Sequence, residues 1–130
     1  IVAFQEAIAA SEESLFVNLS TDDLDRSAMA VNFAHKILKG REIPVTIFLN
    51  VEGVRLVDKD IPQNIHVTGE SVQDKLVNFM ADGGTVLICP FCMQNVGGMT
   101  QEDVIDGVML GGPEMTWTAL FAEGARVLSY

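Results

Sequence analysis

The chain has 130 residues, a length that fits one domain and can bury a core without disulfide staples. Its formal net charge is −10, so a nucleic-acid backbone or an anionic membrane surface would be repelled, and neither is expected as a partner. Hydrophobic residues make up 48% of the chain, in apolar runs far shorter than the roughly 20 residues of a membrane span.

Mean hydropathy is +0.28, high for a soluble chain, which points to fully buried strands and an apolar subunit interface. Residues 1–14 read as an N-terminal extension ahead of a single domain, 15–130. The first residue is Ile1 and not Met, so upstream sequence is expected to have been lost or removed. Gln5 and Glu6 suit an exposed helix. Ala7-Ile8-Ala9 has the small-x-small pattern of an export-signal cleavage site, with a mature start near Ala10 or Ser11. A cytoplasmic location is the first expectation, and a periplasmic or exported one the alternative.

Leu15 to Leu19 reads as a buried strand. Ser20-Thr21-Asp22-Asp23 can cap a helix that runs to about Lys39, with Leu24, Ala28, Val31, Ala34 and Leu38 on one face and Gly40 as its stop. Ile43 to Leu49 is the second strand, with Pro44 tolerable only at its start. Asn50 to Gly69 is a long irregular connection, of a length often functional or interfacial, and Val51 to Val57 within it can form a short helix. Ser71-Val72-Gln73-Asp74 is a capping box for an amphipathic helix carrying Val72, Leu76, Phe79 and Met80, ended by Gly83-Gly84.

Thr85 to Ile88 is the third strand, ending at Cys89. Pro90 suits the first turn of a helix that ends near Gly97-Gly98. Thr100-Gln101-Glu102-Asp103 caps a short helix to about Asp106, and Val108 to Leu110 is a fourth strand. Gly112-Pro113-Glu114 opens a last helix to about Glu123, with Trp117, Leu120 and Phe121 inward and Gly124 as its stop. Ala125 to Tyr130 is the final strand. Strands that alternate with helices and are apolar along their length imply a mostly parallel sheet covered on both faces.

In such sheets reaction sites lie beyond the carboxyl ends of the strands. Cys89 falls at such an end and Cys92 in the first turn of the next helix. Unpaired backbone N–H groups and the helix dipole there favour an anion, so a cysteine in this place is expected to have a depressed pKa. The loop between the two cysteines is too small to staple a fold. Cys-x-x-Cys fits a dithiol redox pair, half of a metal site, or a sulfur carrier with a neighbour. Zinc wants four ligands, and neither His35 nor His66 stands at ligand spacing from the cysteines. Met93 and Met99 could join the thiols around a cuprous ion, though methionine is more often core filler.

Asp22 and Asp23 are better read as helix caps than as a catalytic pair, and Glu102, Asp103 and Asp106 as a solvated acidic face. Gly97-Gly98 and Gly111-Gly112 have neither dinucleotide nor phosphate-loop spacing. Trp117 reads as core or as an interface anchor.

From Leu15 to Tyr130 the chain resembles the DsrE/DsrF-like sulfur-relay superfamily. The resemblance is carried by Leu15-Phe16-Val17-Asn18-Leu19 with the acidic turn Asp22-Asp23, and by Val45-Thr46-Ile47-Phe48-Leu49-Asn50-Val51-Glu52-Gly53-Val54. Its most telling part is Val86-Leu87-Ile88-Cys89-Pro90-Phe91-Cys92-Met93, followed by Gly97, Glu102-Asp103, Gly107-Val108 and Pro113-Glu114. The resemblance implies a three-layer, five-stranded flavodoxin-like sheet with helices on both faces and a homo-oligomer, trimeric or hexameric. It also implies that Cys89 accepts sulfane sulfur as a persulfide and passes it to a partner thiol, without a cofactor. Cys92 departs from the simplest one-cysteine pattern and could resolve the persulfide, pair with Cys89, or replace it as acceptor. A thiol–disulfide redox or sensing module on Cys89 and Cys92, and a non-catalytic oligomeric binding subunit that could bind a soft metal, are the alternatives. The partners implied are sulfur donor and acceptor proteins, or small sulfane-sulfur compounds.

Overall fold

The computed structural model describes residues 2–130. Five strands form one sheet: β1 (Ser14–Leu19), β2 (Val45–Leu49), β3 (Thr85–Ile88), β4 (Met109–Leu110) and β5 (Ala125–Ser129). Their spatial order is β4-β3-β2-β1-β5, and every neighbouring pair is parallel. The helices are α1 (Val2–Ala10), α2 (Leu24–Arg41), α3 (Val72–Ala81), α4 (Pro90–Asn95) and α5 (Pro113–Leu120). Short 3-10 turns occupy Val51–Val57 and Gln101–Asp103. This is the three-layer, flavodoxin-like α/β arrangement expected from the sequence.

The main core lies between the sheet and helices α2 and α3. It joins Leu15, Val17 and Leu19 of β1 and Val45, Ile47 and Leu49 of β2 to Ala28, Val31, Leu76 and Phe79. The opposite face carries Phe16, whose ring meets that of Phe48 at 6.0 Å, together with buried Leu87, Met115 and Ala119. Burial on both faces explains why β1, β2 and β3 are apolar throughout instead of alternating. The edge strand β5 is largely exposed.

Local signals act largely as the sequence suggests. Asp23 caps α2, its Oδ2 accepting the Arg26 N–H at 2.9 Å. Ser71 and Asp74 form the capping box of α3: Ser71 Oγ accepts the Asp74 N–H at 3.0 Å, and Asp74 Oδ2 accepts the Ser71 N–H at 3.4 Å. The N-terminal extension is helical, and Ile8 is buried on the domain beside α5.

Three expectations are corrected. Gly40 does not stop α2; the helix runs to Arg41, and Glu42 takes the left-handed turn at φ 54°. Lys39 and Arg41 favour the carbonyl end of the helix, and Pro44, without an N–H, follows the turn. The segment after Thr100 forms only the 3-10 turn Gln101–Asp103. In α5 the inward residues are Met115, Thr116 and Ala119, while Trp117 is 60% and Phe121, beyond the helix end, 76% exposed. Leu120 is half-buried. The cause is close approach to the sheet: a Cβ at Gly111, just before the helix, would stand 2.8 Å from Phe48 and 3.0 Å from Thr116 Oγ1. Thr116 and Ala119, and the flexible Met115, fit under such a helix, whereas the indole of Trp117 lies outside.

Two glycines make opposite demands. A Cβ at Gly124, held at φ +86°, would collide with the Glu12 carbonyl, whereas Gly40 lies in helix with open space around it. Gly40→Ala is expected to stabilise by about 0.5 kcal/mol and Gly124→Ala to destabilise by ~2 kcal/mol, both read from urea unfolding midpoints.

Candidate functional site

The carboxyl ends of β1, β2 and β3 lie side by side, in the register Leu19↔Leu49 and Leu49↔Ile88. Cys89 extends β3 by one residue, its N–H donating to the Leu49 carbonyl at 2.9 Å. The chain then turns into α4. Cys89 is the N-cap residue (φ −65°, ψ 118°), Pro90 opens the first turn, and the Cys89 carbonyl accepts the Met93 N–H at 2.9 Å. The Cys89 sulfur takes the part a serine oxygen usually plays, accepting the Cys92 N–H at 3.4 Å. Both cysteines are free thiols and half-buried.

The electrostatics correct one expectation. Cys92 does not gain a depressed pKa from its place in the first turn. Burial pushes its thiol above the ordinary cysteine value, while the Val51 N–H acts in the opposite direction. Cys89 and the Glu52 carboxylate add further upward pressure.

The groups around the cysteines come from the loop after β2. Val51 has φ 49°, a left-handed conformation that strains a β-branched residue by on the order of 1–3 kcal/mol. That conformation starts the 3-10 turn Val51–Val57 and brings a backbone donor toward Cys92. The amide of Asn50 donates to Asn18 Oδ1, joining the ends of β2 and β1. A Cβ at Gly53 would collide with the Leu19 carbonyl, so this turn lies directly on the end of β1. Sequence reasoning missed Val51 and Glu52 as neighbours of Cys92. The available signal was Asn50-Val51-Glu52-Gly53 directly after a strand, but nothing in a valine announces a positive φ.

The other candidates lie elsewhere. His35 meets Asp82 at 2.6 Å and stacks edge-on to Phe79, and His66 meets Asp25 at 3.2 Å. Met93 and Met99 are packed in the core. Asp23 is a cap, and Asp22 faces Arg55 at 3.8 Å. Glu102 and Asp106 are exposed, as expected of an acidic face. Asp103 instead closes a capping box, Oδ2 accepting the Thr100 N–H at 2.8 Å, and that bond holds its carboxyl below the ordinary range. Among the described residues no group of three His, Cys, Asp or Glu side chains could hold a metal, and no helix is long and apolar enough to cross a membrane. Cavities of about 690 and 780 Å³ lie against α1; neither is lined by the cysteines.

Fold and site together define a flavodoxin-like α/β protein with a thiol pair at the end of a central strand. Several solved structures share its fold, among them two that resemble this chain over most of its length. One is a protein of unknown function, MTH1491, from Methanobacterium thermoautotrophicum (TM-score 0.71, 12% identity, 91% of this chain and 99% of that one). The other is the ychN protein from E. coli (TM-score 0.71, 19% identity, 92% of this chain and 100% of that one). No protein-family model and no curated protein sequence matches the chain significantly.

Cys92 stays largely protonated at neutral pH on this reading. In the Cys89→Ser variant its alkylation rate by iodoacetamide should inflect above the ~8.5 of a free cysteine. An inflection below that value would mean that the Val51 donor outweighs burial.

Proposed function

We propose that the chain is a sulfur-relay protein in which Cys89 carries sulfane sulfur as a persulfide. The observation that carries this reading is the Cys89 sulfur at the end of β3, half-buried, with a backbone N–H from Cys92 donated to it. The resemblance of Val86 to Met93 to the sulfur-relay superfamily points the same way.

The Cys89 thiolate attacks the outer sulfur of a donor persulfide, R–S–SH. The donor's S–S bond breaks, a new one forms on Cys89, and the thiolate R–S⁻ leaves and takes up a proton. A partner thiolate then attacks the outer sulfur and regenerates Cys89. Two-electron oxidation level is conserved, so no external oxidant is needed. Cys92 is the internal competitor: as a thiolate it would attack the inner sulfur, close a Cys89–Cys92 disulfide and expel hydrosulfide. The upward pKa of Cys92 suppresses that reaction at neutral pH and protects the loaded state.

Intact-protein mass spectrometry after exposure to a sulfane-sulfur donor tests the reading. One added sulfur is expected, removable by reductant, absent in Cys89→Ser and retained in Cys92→Ser. Full loading of Cys89→Ser would move the role to Cys92. Loss of two mass units with hydrosulfide release, in place of a gain, would favour the thiol–disulfide reading, for which the adjacent half-buried thiols are the supporting observation.

Homo-oligomeric assembly belongs to the same proposal. Trp117 and Phe121 are exposed near the carboxyl end of α5, and large exposed aromatics are apt anchors for a subunit interface. Sedimentation should show an oligomer that Trp117→Glu shifts toward monomer; a monomeric wild-type chain would remove this part of the proposal.

A further inference from the structure

The cysteines leave Lys75 unexplained. It lies in the first turn of α3 and is only 6% exposed, although lysine is almost never buried unless paired. Its ammonium has three N–H donors. One goes to Thr68 Oγ1 at 2.7 Å. Among the described residues no carboxylate lies within ion-pair distance of it.

Lys75 faces a cavity of about 410 Å³, lined by Asn32, His35, Lys36, Lys39, Thr68 and Lys75. Three of the chain's eight lysines and arginines line it, with no carboxylate among the lining residues, in a protein of net charge −10. Asp82, behind the lining, holds His35 at 2.6 Å and Lys39 at 3.6 Å. Lys36 and Lys75 have no such partner among the described residues.

Thr68 belongs to a run of contacts that continues through His66 to Asp25. Asp25 Oδ1 meets His66 Nε2 at 3.2 Å. Nδ1 lies 3.0 Å from Thr68 Oγ1 and 3.3 Å from the Thr68 backbone N–H. The Thr68 hydroxyl accepts from Lys75 and stands within hydrogen-bond distance of the His66 ring. With one ammonium donor taken, two remain for a ligand.

We infer that this cavity binds a tetrahedral oxyanion of phosphate type, either the free anion or a phosphate monoester. Lys75 and Lys36 supply the positive charge and the Asn32 amide a further donor. The volume lies within the range of small-molecule sites and leaves space beside the anion for an ester group.

The test is titration of the whole protein with inorganic phosphate and, separately, with phenyl phosphate, at fixed ionic strength, followed by amide chemical shifts. Saturable shifts confined to residues 32–39 and 68–75 are expected. Lys75→Met should weaken binding at least tenfold and Lys36→Gln several-fold. Lys59→Gln, beside Asp60 and Asp103, should bind as wild type. Cys89→Ser should also bind as wild type, because this inference is independent of the sulfur chemistry. Tighter binding of phenyl phosphate would assign a monoester, and saturation by inorganic phosphate alone the free anion. Failure of both anions to saturate overturns the inference. If Lys75→Met does not fold, wild-type affinity in both Thr68→Val and Lys36→Gln overturns it equally.

Discussion

Strands β1, β2 and β3 bury side chains on both faces, so their backbone N–H and C=O groups can be satisfied only by one another. Parallel pairing meets that need, and it forces each connection back across a face of the sheet. The successive steps from β1 to β4 move one way along the sheet and set α2 and α3 on one face. The return from β4 to β5, beyond β1, sets α5 on the other, next to α1. Once three short strands are buried on both sides, little freedom remains in where the helices go.

The same constraint creates the thiol site. In-sheet hydrogen bonding continues one residue past β3, where the Cys89 N–H still reaches the Leu49 carbonyl. Beyond it the chain must turn, and Pro90 starts a helix whose first N–H groups have no intrahelical acceptor. The Cys89 sulfur takes one of them. The neighbouring strand ends at the same level, and its loop must turn just as sharply, which Val51 achieves in a left-handed conformation and Gly53 by lacking a side chain. Cys92 is thereby enclosed by a second loop, and enclosure raises its pKa. What packs against Cys92 sets its thiol apart from an ordinary cysteine.

Much of this was legible in the sequence, because much of it is local. Uninterrupted apolar strands, the Ser71–Asp74 box and Pro90 after Cys89 each act within a few residues, and each appears where the pattern put it. What was not legible depends on distance between elements. The inward face of α5 follows from how closely Gly111 lets the chain approach Phe48, not from the apolarity of Trp117. The stop at Glu42 reflects the chain's entry into β2 past Pro44 more than the glycine two residues earlier. At the site, Cys89 and Cys92 were readable by type and spacing. Their electrostatics were not, because burial of Cys92 comes from a loop forty residues upstream.

Lys75 shows the same limit from the other side. On a helical wheel it stands between Val72 and Phe79, both buried, and would be read as a chain snorkelling from an apolar face. Snorkelling relieves burial by leaving the ammonium in water with its stem covered. Here only 6% of the residue is exposed, and its ammonium is met by the Thr68 hydroxyl. A charge so enclosed costs free energy unless counter-charge arrives, and among the described residues no carboxylate pairs with it: Asp82 meets His35 and Lys39, and Asp25 meets His66. The counter-charge is then supplied from solution, by a bound oxyanion.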